Sequence, residues 1–317
     1  MGPCFSLSDA IVYDTLESKH HGLWGQQRLF GTIAWGTFAG LTGLLLDVFQ
    51  TYTIPLLIFG TLTFADALVA FIWLPKHDSH SNDSKQELPY WKAIGKVMKN
   101  PVFIIICLVA TTSGWLIGSM QVLSATLLHD LEAPKILFGV VQIVICCFEI
   151  PCLFFAGIMI EKIGQINAFL LMYIAYAVRF GVYSALSHDS VWFILPVESL
   201  HLFCFGLFFA AASQTVAAIA PPGTSSTFQG VLGTCFLGIG MGTGLLISPN
   251  LYRYIGPKQT FFTIAILSIF FCCLLFIVNL LYLRKHLKKI SDKSDEGLDG
   301  EKSVPMLDVP VDESAEL

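Results

Sequence analysis

Eight long apolar segments, separated by short polar ones, dominate the pattern of hydrophobic and polar positions along this chain. Each has roughly the 20 mostly apolar residues that a helix needs to cross the hydrocarbon core of a bilayer. The segments are 29–48, 53–74, 101–125, 137–159, 166–187, 190–218, 227–249 and 259–283. Residues 3–16 are too short to span and resemble the end of a further helix. The pattern predicts an all-α membrane protein with eight full transmembrane helices and a partial one.

The composition agrees with a membrane protein. Of the 317 residues, 55% are hydrophobic and only 13% are charged, and the mean hydropathy is +0.70. A soluble domain has about 25% charged residues, so a water-soluble globule is excluded. The nine cysteines form no C-x-x-C pair and have no zinc-like spacing with histidine, which predicts no metal site. The net charge of −5 gives no indication of a nucleic-acid partner.

The distribution of lysine and arginine predicts the orientation of the helices. With the C-terminus inside, 14 of the 18 basic residues lie in inside segments and three lie in outside loops, so we expect a cytoplasmic C-terminus. The long inside segment 77–100 carries an apolar face at Trp91, Ile94, Val97 and Met98, which is typical of an interfacial helix. The polar tail 287–317 is predicted to be disordered.

Charged side chains within the predicted helices are the main candidates for function, because a charge inside a membrane is costly. At about 1.5 Å per residue, Arg179 and Glu198 lie at the same depth of about 12 Å on consecutive helices, so they can pair. Glu149 lies near the midplane without a local partner and could take up and release a proton. Glu198 and His201, three apart, share a helix face. These four residues could form a proton relay; a static Arg179–Glu198 bridge is the alternative.

Glycines recur within several of the apolar segments. Gly31, Gly36 and Gly40 follow one another along the first segment, and Gly238 and Gly242 lie in the seventh. Glycines in membrane helices let two backbones approach closely, so these five are predicted to pack helices together. A nucleotide-binding loop does not fit, because no strand precedes the glycines and their spacing differs from the fingerprint.

Several stretches resemble the major facilitator superfamily, in the branch of lactose permease and the nucleoside–proton symporters. "WGQQRLFGTIAWGTFAG" resembles the entry to the fifth helix of that branch. "AYAVRFGVYSAL", "PVESLHLFCFGLFFAAAS" and "APPGTSSTFQGVLGTCFLGIGMGTG" resemble its ninth, tenth and eleventh helices with their connecting loop. Within the branch, the chain is most similar to the animal group of major facilitator superfamily domain-containing protein 6.

The resemblance implies twelve helices in two six-helix halves, of which this chain would contain helices five to twelve and the end of helix four. The first three helices would be absent, as in a truncated isoform, a fragment or an incomplete gene model. The implied organisation has four parts: a remnant of the N-terminal half at 1–76, a cytoplasmic central loop at 77–100, the C-terminal half at 101–286, and the tail at 287–317.

The resemblance also implies a function for the charged residues. In lactose-permease-like symporters, proton coupling uses a glutamate in helix eight, an arginine in helix nine, and a histidine and glutamate three apart in helix ten. The matching residues are Glu149, Arg179, and Glu198 with His201, whose order is reversed here. Asp66, in the other half, is a candidate for lining the cavity.

The expected function is therefore secondary active transport of a small polar solute by alternating access, with proton coupling. The expected partners are membrane lipid, the solute and protons, and no enzyme activity or cofactor is expected, since no nucleophile elbow or other catalytic pattern occurs. A non-transporting membrane receptor or adaptor is an alternative, but a receptor favours large outer loops and the outer loops here are short. An inactive truncated isoform is a further alternative.

Overall fold

The computed structural model describes residues 24–49, 51, 53–73, 95, 97–220 and 224–283. Long apolar runs without water to satisfy their backbone must bond internally, and the described backbone is accordingly helical, with no strand in these ranges. The all-α prediction is confirmed. The predicted partial helix at 3–16, most of the central segment 77–100 and the tail 287–317 lie outside the described residues.

Each of the eight predicted apolar segments forms a helix. The helices are α1 (Trp24–Phe49), α2 (Thr53–Trp73), α3 (Pro101–Asp130), α4 (Lys135–Ile163), α5 (Gln165–Ala185), α6 (His188–Ile219), α7 (residues 225–255) and α8 (residues 257–283). Over the described residues, the six from α3 to α8 are long and apolar enough to cross a membrane. That α1 and α2 also span remains a prediction.

Helix α6 is not a uniform α-helix. It begins as a 3₁₀-helix at His188–Phe193, becomes α-helical at Ile194–Glu198, widens to a π-helix at Leu202–Leu207 and ends as an α-helix at Phe208–Ile219. A π-helical segment changes the directions in which the side chains around it point, and such segments are frequent at functional sites. Two backbone carbonyls of this π-helical segment accept hydrogen bonds from neighbouring helices, one from the Cys152 thiol and one from the Tyr176 hydroxyl.

Beyond the first turn of α8, the exposed described side chains are apolar. Phe262, Ile266 and Ile269 each have more than half of their surface exposed. Because there is no polar side of this helix to face water, its exposed surface is suited to lipid.

The core lies between α3, α5, α6, α7 and α8. It is built largely of aromatic rings, among them Tyr183 stacked on Phe261 with ring centroids 5.4 Å apart. Phe208 and Phe236 join α6 to α7 with centroids 5.7 Å apart. All four rings are almost fully buried, so the core holds α5 against α8 and α6 against α7.

Helices α3 and α7 approach each other most closely, and glycines allow it. A Cβ atom on Gly118 would lie 2.6 Å from the carbonyl oxygen of Met241, and one on Gly244 would lie 2.5 Å from the carbonyl oxygen of Trp115. Such distances are too short for real atoms, so only glycine fits at these positions.

The glycines that make close contacts differ from the predicted set. Gly36 of α1 is close to α4, but Gly31 and Gly242 have nothing within 4 Å of a Cβ position among the described residues. Gly238 meets only a side chain of its own helix, at 3.6 Å. The surroundings of Gly40 lie outside the described part. In α7, Gly240 and Gly244 take the close-packing role, because they face α3 whereas Gly242 lies on a different side of the helix.

One polar contact ties the ends of α3 and α7 together. The Tyr252 hydroxyl donates to Asp130 Oδ2 at 2.7 Å. We expect Tyr252→Phe to destabilise the protein by about 1 kcal/mol, because a hydrogen bond to a half-exposed carboxylate is lost. The melting midpoint of the purified protein should fall by about 2–4 °C. Tyr254→Phe is the matched control, since Tyr254 is 87% exposed on the same helix. An equal fall of the melting midpoint in both variants would contradict a stabilising role for the hydrogen bond between Tyr252 and Asp130.

Candidate functional site: a buried charged cluster

The four charged or ionisable residues predicted on α4, α5 and α6 lie together. Glu149, Arg179 and Glu198 are 5%, 3% and 2% exposed, and His201 is half-buried beside them. We call these four residues the charged cluster. Buried charges in proteins are generally paired or bound to a metal ion, so the contacts of these side chains decide what the cluster can do.

Arg179 is at the centre of the cluster. Its Nη2 atom lies 2.7 Å from Glu198 Oε2, and its Nη1 atom lies 3.2 Å from His201 Nδ1. The hydroxyl of Tyr183 donates to the other oxygen of Glu198, Oε1, also at 2.7 Å. Glu198 therefore has a charged partner on one oxygen and a neutral donor on the other, which offsets the desolvation of its carboxylate. The predicted pairing of Arg179 with Glu198 is present.

The contact with Arg179 fixes the tautomer of His201. A guanidinium group can only donate hydrogen bonds, so the Nδ1 atom of His201 must accept. The ring proton then resides on Nε2, and Nε2 lies 3.5 Å from Glu149 Oε2. A continuous line of polar groups thus runs from Glu198 through Arg179 and His201 to Glu149.

Glu149 is not the lone carboxyl that its sequence surroundings suggested. Besides His201, it accepts a hydrogen bond on Oε1 from the hydroxyl of Thr32, at 2.9 Å. Both partners come from other helices, and Thr32 is 117 positions away in the chain. Inspection of residues three or four positions from Glu149 cannot find partners of this kind.

Local sequence features shape the helices around the two carboxylates. Pro151 follows Glu149 by two positions in α4, and Pro196 precedes Glu198 by two positions in α6. Proline has no backbone N–H, so the carbonyl four residues earlier loses its helical partner. Gly206, in the π-helical part of α6, lies beside Glu149. A Cβ atom added to Gly206 would lie 3.5 Å from the Cγ atom of Glu149.

Two residues that touch the cluster were not predicted from the sequence. Tyr183 lies four residues after Arg179 and therefore shares its helix face, which is a signal that could have been used. Thr32 gave no such signal, since a threonine in an apolar helix commonly bonds its own backbone. Thr37 does so on the same helix, donating to the Ile33 carbonyl at 2.8 Å.

The structure does not bring Asp66 to the cluster. Asp66 lies on α2, where every described side chain from 59 to 69 is exposed. Arg28 lies on α1 one helical turn before Thr32, but its side chain is outside the described part. In the described ranges, no group of three His, Cys, Asp or Glu side chains is placed to hold a metal ion.

The charges of the cluster do not balance. With both carboxyls ionised and His201 neutral, the four side chains carry one negative charge in excess. The Nε–H of Arg179 is also buried, and among the described residues it has no hydrogen-bond acceptor. A buried charge that no opposite charge balances is costly in a medium of low dielectric constant.

Six apolar helices that enclose a buried charged cluster define an integral, multi-pass membrane protein. The chain matches the MFS_1 like family over residues 1–263. It belongs to that family, and so to the major facilitator superfamily.

A bacterial protein is also similar to this chain. It is the "Uncharacterized transporter YwbF" of Bacillus subtilis (strain 168), which is 25% identical over 268 residues. The alignment covers 83% of this chain, and the chain spans 64% of the length of that relative.

Proposed function

We propose that this chain forms part of a secondary active transporter that moves a small polar solute by alternating access and couples the movement to protons. Family membership supports transport, since the related bacterial protein is named a transporter. The charged cluster supports proton coupling. We propose that the protein belongs to the branch of lactose permease and the nucleoside–proton symporters, near the group of major facilitator superfamily domain-containing protein 6. We propose no enzymatic activity.

The contact between His201 and Glu149 carries the proposal. The Nε2 proton of His201 is held on the side of Glu149 because Arg179 occupies Nδ1. A proton that reaches Glu149 removes the excess negative charge of the cluster, and its release restores that charge. The energy of the cluster therefore depends on proton occupancy, which is what a proton-driven transporter requires.

The remaining polar groups suit a binding role. The Nε–H of Arg179, which has no acceptor among the described residues, can donate to an oxygen atom of a solute or a water molecule. We propose that helices α3 to α8 are the C-terminal half of the transporter, that α1 and α2 belong to the other half, and that the C-terminus is cytoplasmic. In such proteins the solute and coupling-ion sites lie near the bilayer midplane between repeats, which fits the depth of Glu149.

The test is Glu149→Gln in the full-length protein. Glutamine keeps the size of the side chain and its hydrogen-bonding oxygen but cannot exchange a proton. Solute accumulation driven by a proton gradient should fall by about 100-fold or more, as expected for the loss of a proton-transferring group. The solute is first identified by comparing the metabolite contents of expressing and control cells, and its uptake is then measured at two external pH values.

Glu161→Gln is the matched control, because Glu161 is an exposed carboxyl near the end of the same helix. It should accumulate solute at the wild-type rate, and both variants should reach the cell surface in equal amounts. Unchanged proton-driven uptake in both Glu149→Gln and Arg179→Ala would rule out the coupling role of the cluster.

A further inference from the structure

Helix α1 touches the rest of the described protein along a narrow face. Among the described side chains of α1, only Thr32 is buried, at 8% exposure. Its neighbours Phe30, Ile33 and Trp35 are 68%, 42% and 56% exposed. The polar Thr32 is thus buried against protein while the large apolar residues around it are exposed, as expected for a membrane helix whose apolar side chains face lipid.

The buried face of α1 fits against α4 in a defined register. Thr32 Oγ1 lies 2.9 Å from Glu149 Oε1. One turn along α1, a Cβ atom on Gly36 would lie 2.7 Å from the Sγ of Cys146 and 3.3 Å from its Cβ. Cys146 and Glu149 are three apart and share one face of α4, so both contacts belong to the same antiparallel seam.

The Thr32 hydroxyl is used differently from that of its neighbour Thr37. Thr37 bonds the backbone of its own helix, whereas Thr32 donates to a side chain of α4. A hydrogen bond to an ionised carboxylate is about twice as strong as one between neutral groups. The attachment of α1 to α4 at this point therefore depends on the charge of Glu149.

Other titratable groups also face Glu149. His201 reaches it from α6, and Cys146 and Cys152 flank it on α4. From α5, Arg179 acts on it through His201. On α1, Arg28 occupies the turn before Thr32, although its side chain is outside the described part.

We propose that Thr32 is a positioning residue that fastens α1 to the charged cluster while Glu149 is ionised, and that protonation of Glu149 loosens α1 from α4. The role of this seam in transport rests on the proposed function, but its dependence on the charge of Glu149 does not. Protonation in the cluster is thereby converted into a change of helix packing, which alternating access needs.

Cross-linking tests the proposal without any solute. Gly36→Cys places a thiol opposite the native Cys146, at a Cβ separation near the range seen in disulfides. Copper–phenanthroline oxidises the two thiols to a disulfide in the full chain in membranes. A protease site introduced between residues 80 and 81 then shows whether the two fragments remain joined, with Cys146→Ser as the blank.

The expected result is a coupling between residues 32 and 149. Thr32→Val should slow cross-linking by about tenfold, and Thr32→Ser, which keeps the hydroxyl, should restore the rate to within about threefold. Thr37→Val is the matched control and should have no effect. In a Glu149→Gln background, where the charge is already absent, Thr32→Val should slow the reaction much less. Equal rates for Thr32→Val and Thr37→Val, or an equal Thr32→Val effect in both backgrounds, would overturn the proposal.

A second measurement covers the case that cysteine at position 36 prevents folding. With Gly36 retained and Cys146 as the sole cysteine, the rate of alkylation by a membrane-permeant maleimide reports how well α1 covers the thiol, which is 8% exposed. Thr32→Val should raise the alkylation rate of Cys146 about tenfold, and Thr37→Val should leave it unchanged. Equal alkylation rates in the two variants would contradict the role of Thr32 in holding α1 against α4. If the charge-dependent seam is found but Glu149→Gln transports normally, the seam stands and the proposed proton coupling is wrong.

Discussion

Arg179→Ala is expected to lower the stability of the protein by about 3–5 kcal/mol, because it leaves a buried carboxylate without its charged partner. Glu198, 2% exposed, would keep the Tyr183 hydroxyl as its one remaining partner among the described residues, and His201 would lose the donor that fixes its tautomer. The melting midpoint of the detergent-purified protein should fall by on the order of 10 °C. Proton-driven uptake should be lost as well.

The same substitution at an exposed arginine separates this effect from a general loss of charge. Arg253 lies on the surface of α7, and Arg253→Ala should leave the melting midpoint within about 2 °C of the wild type. Arg179→Lys should be intermediate in stability, since an ammonium group keeps the charge but cannot reproduce the fork that contacts both Glu198 and His201. A midpoint unchanged by Arg179→Ala would contradict the buried pairing.

A double substitution distinguishes a static bridge from a working site. Replacing Arg179 with methionine and Glu198 with leucine removes both charges together, and such replacements are often neutral or stabilising. Most of the stability lost in Arg179→Ala should return. If the pair only holds helices together, proton-driven uptake should return with it; if the cluster couples protons, uptake should remain absent.

Gly114→Val should be the most damaging substitution outside the charged cluster. Any Cβ atom at position 114 would overlap the backbone carbonyl oxygen of Phe236, and the opposite Gly240 faces the Thr111 carbonyl in the same way. Backbone atoms in the middle of two long helices cannot move aside as the end of a side chain can. The expected loss is at least about 3 kcal/mol, and the folded yield in size-exclusion chromatography should collapse.

Gly139→Val tests whether this loss reflects the contact rather than the residue type. Gly139 lies inside α4, and a Cβ atom there meets nothing within 4 Å among the described residues. The folded yield of Gly139→Val should remain close to that of the wild type. If both variants lose folded protein equally, close packing of α3 on α7 is not the reason for glycine at position 114.

The sequence by itself determined the helices, since a run of about 20 apolar residues has few ways to satisfy its backbone in a membrane other than to form a helix. All eight predicted segments are helical, and their observed bounds extend several residues past the predicted ones at α3 and α4. Sequence also selected the four members of the charged cluster, because charge within an apolar run is visible without knowledge of packing. Helix length placed Arg179 and Glu198 at one depth, and they are in contact.

Tertiary structure alone decided which groups meet across helices. Glu149 gained Thr32 as a partner because α1 packs against α4, and the rotation of each helix about its axis depends on the whole set of its neighbours. The same rotation placed Gly240 and Gly244 rather than Gly242 against α3. The proton on Nε2 of His201 follows from an arginine on another helix. A single sequence specifies which residues are buried charges or glycines, but the facing of a membrane helix is set by contacts between segments distant in the chain.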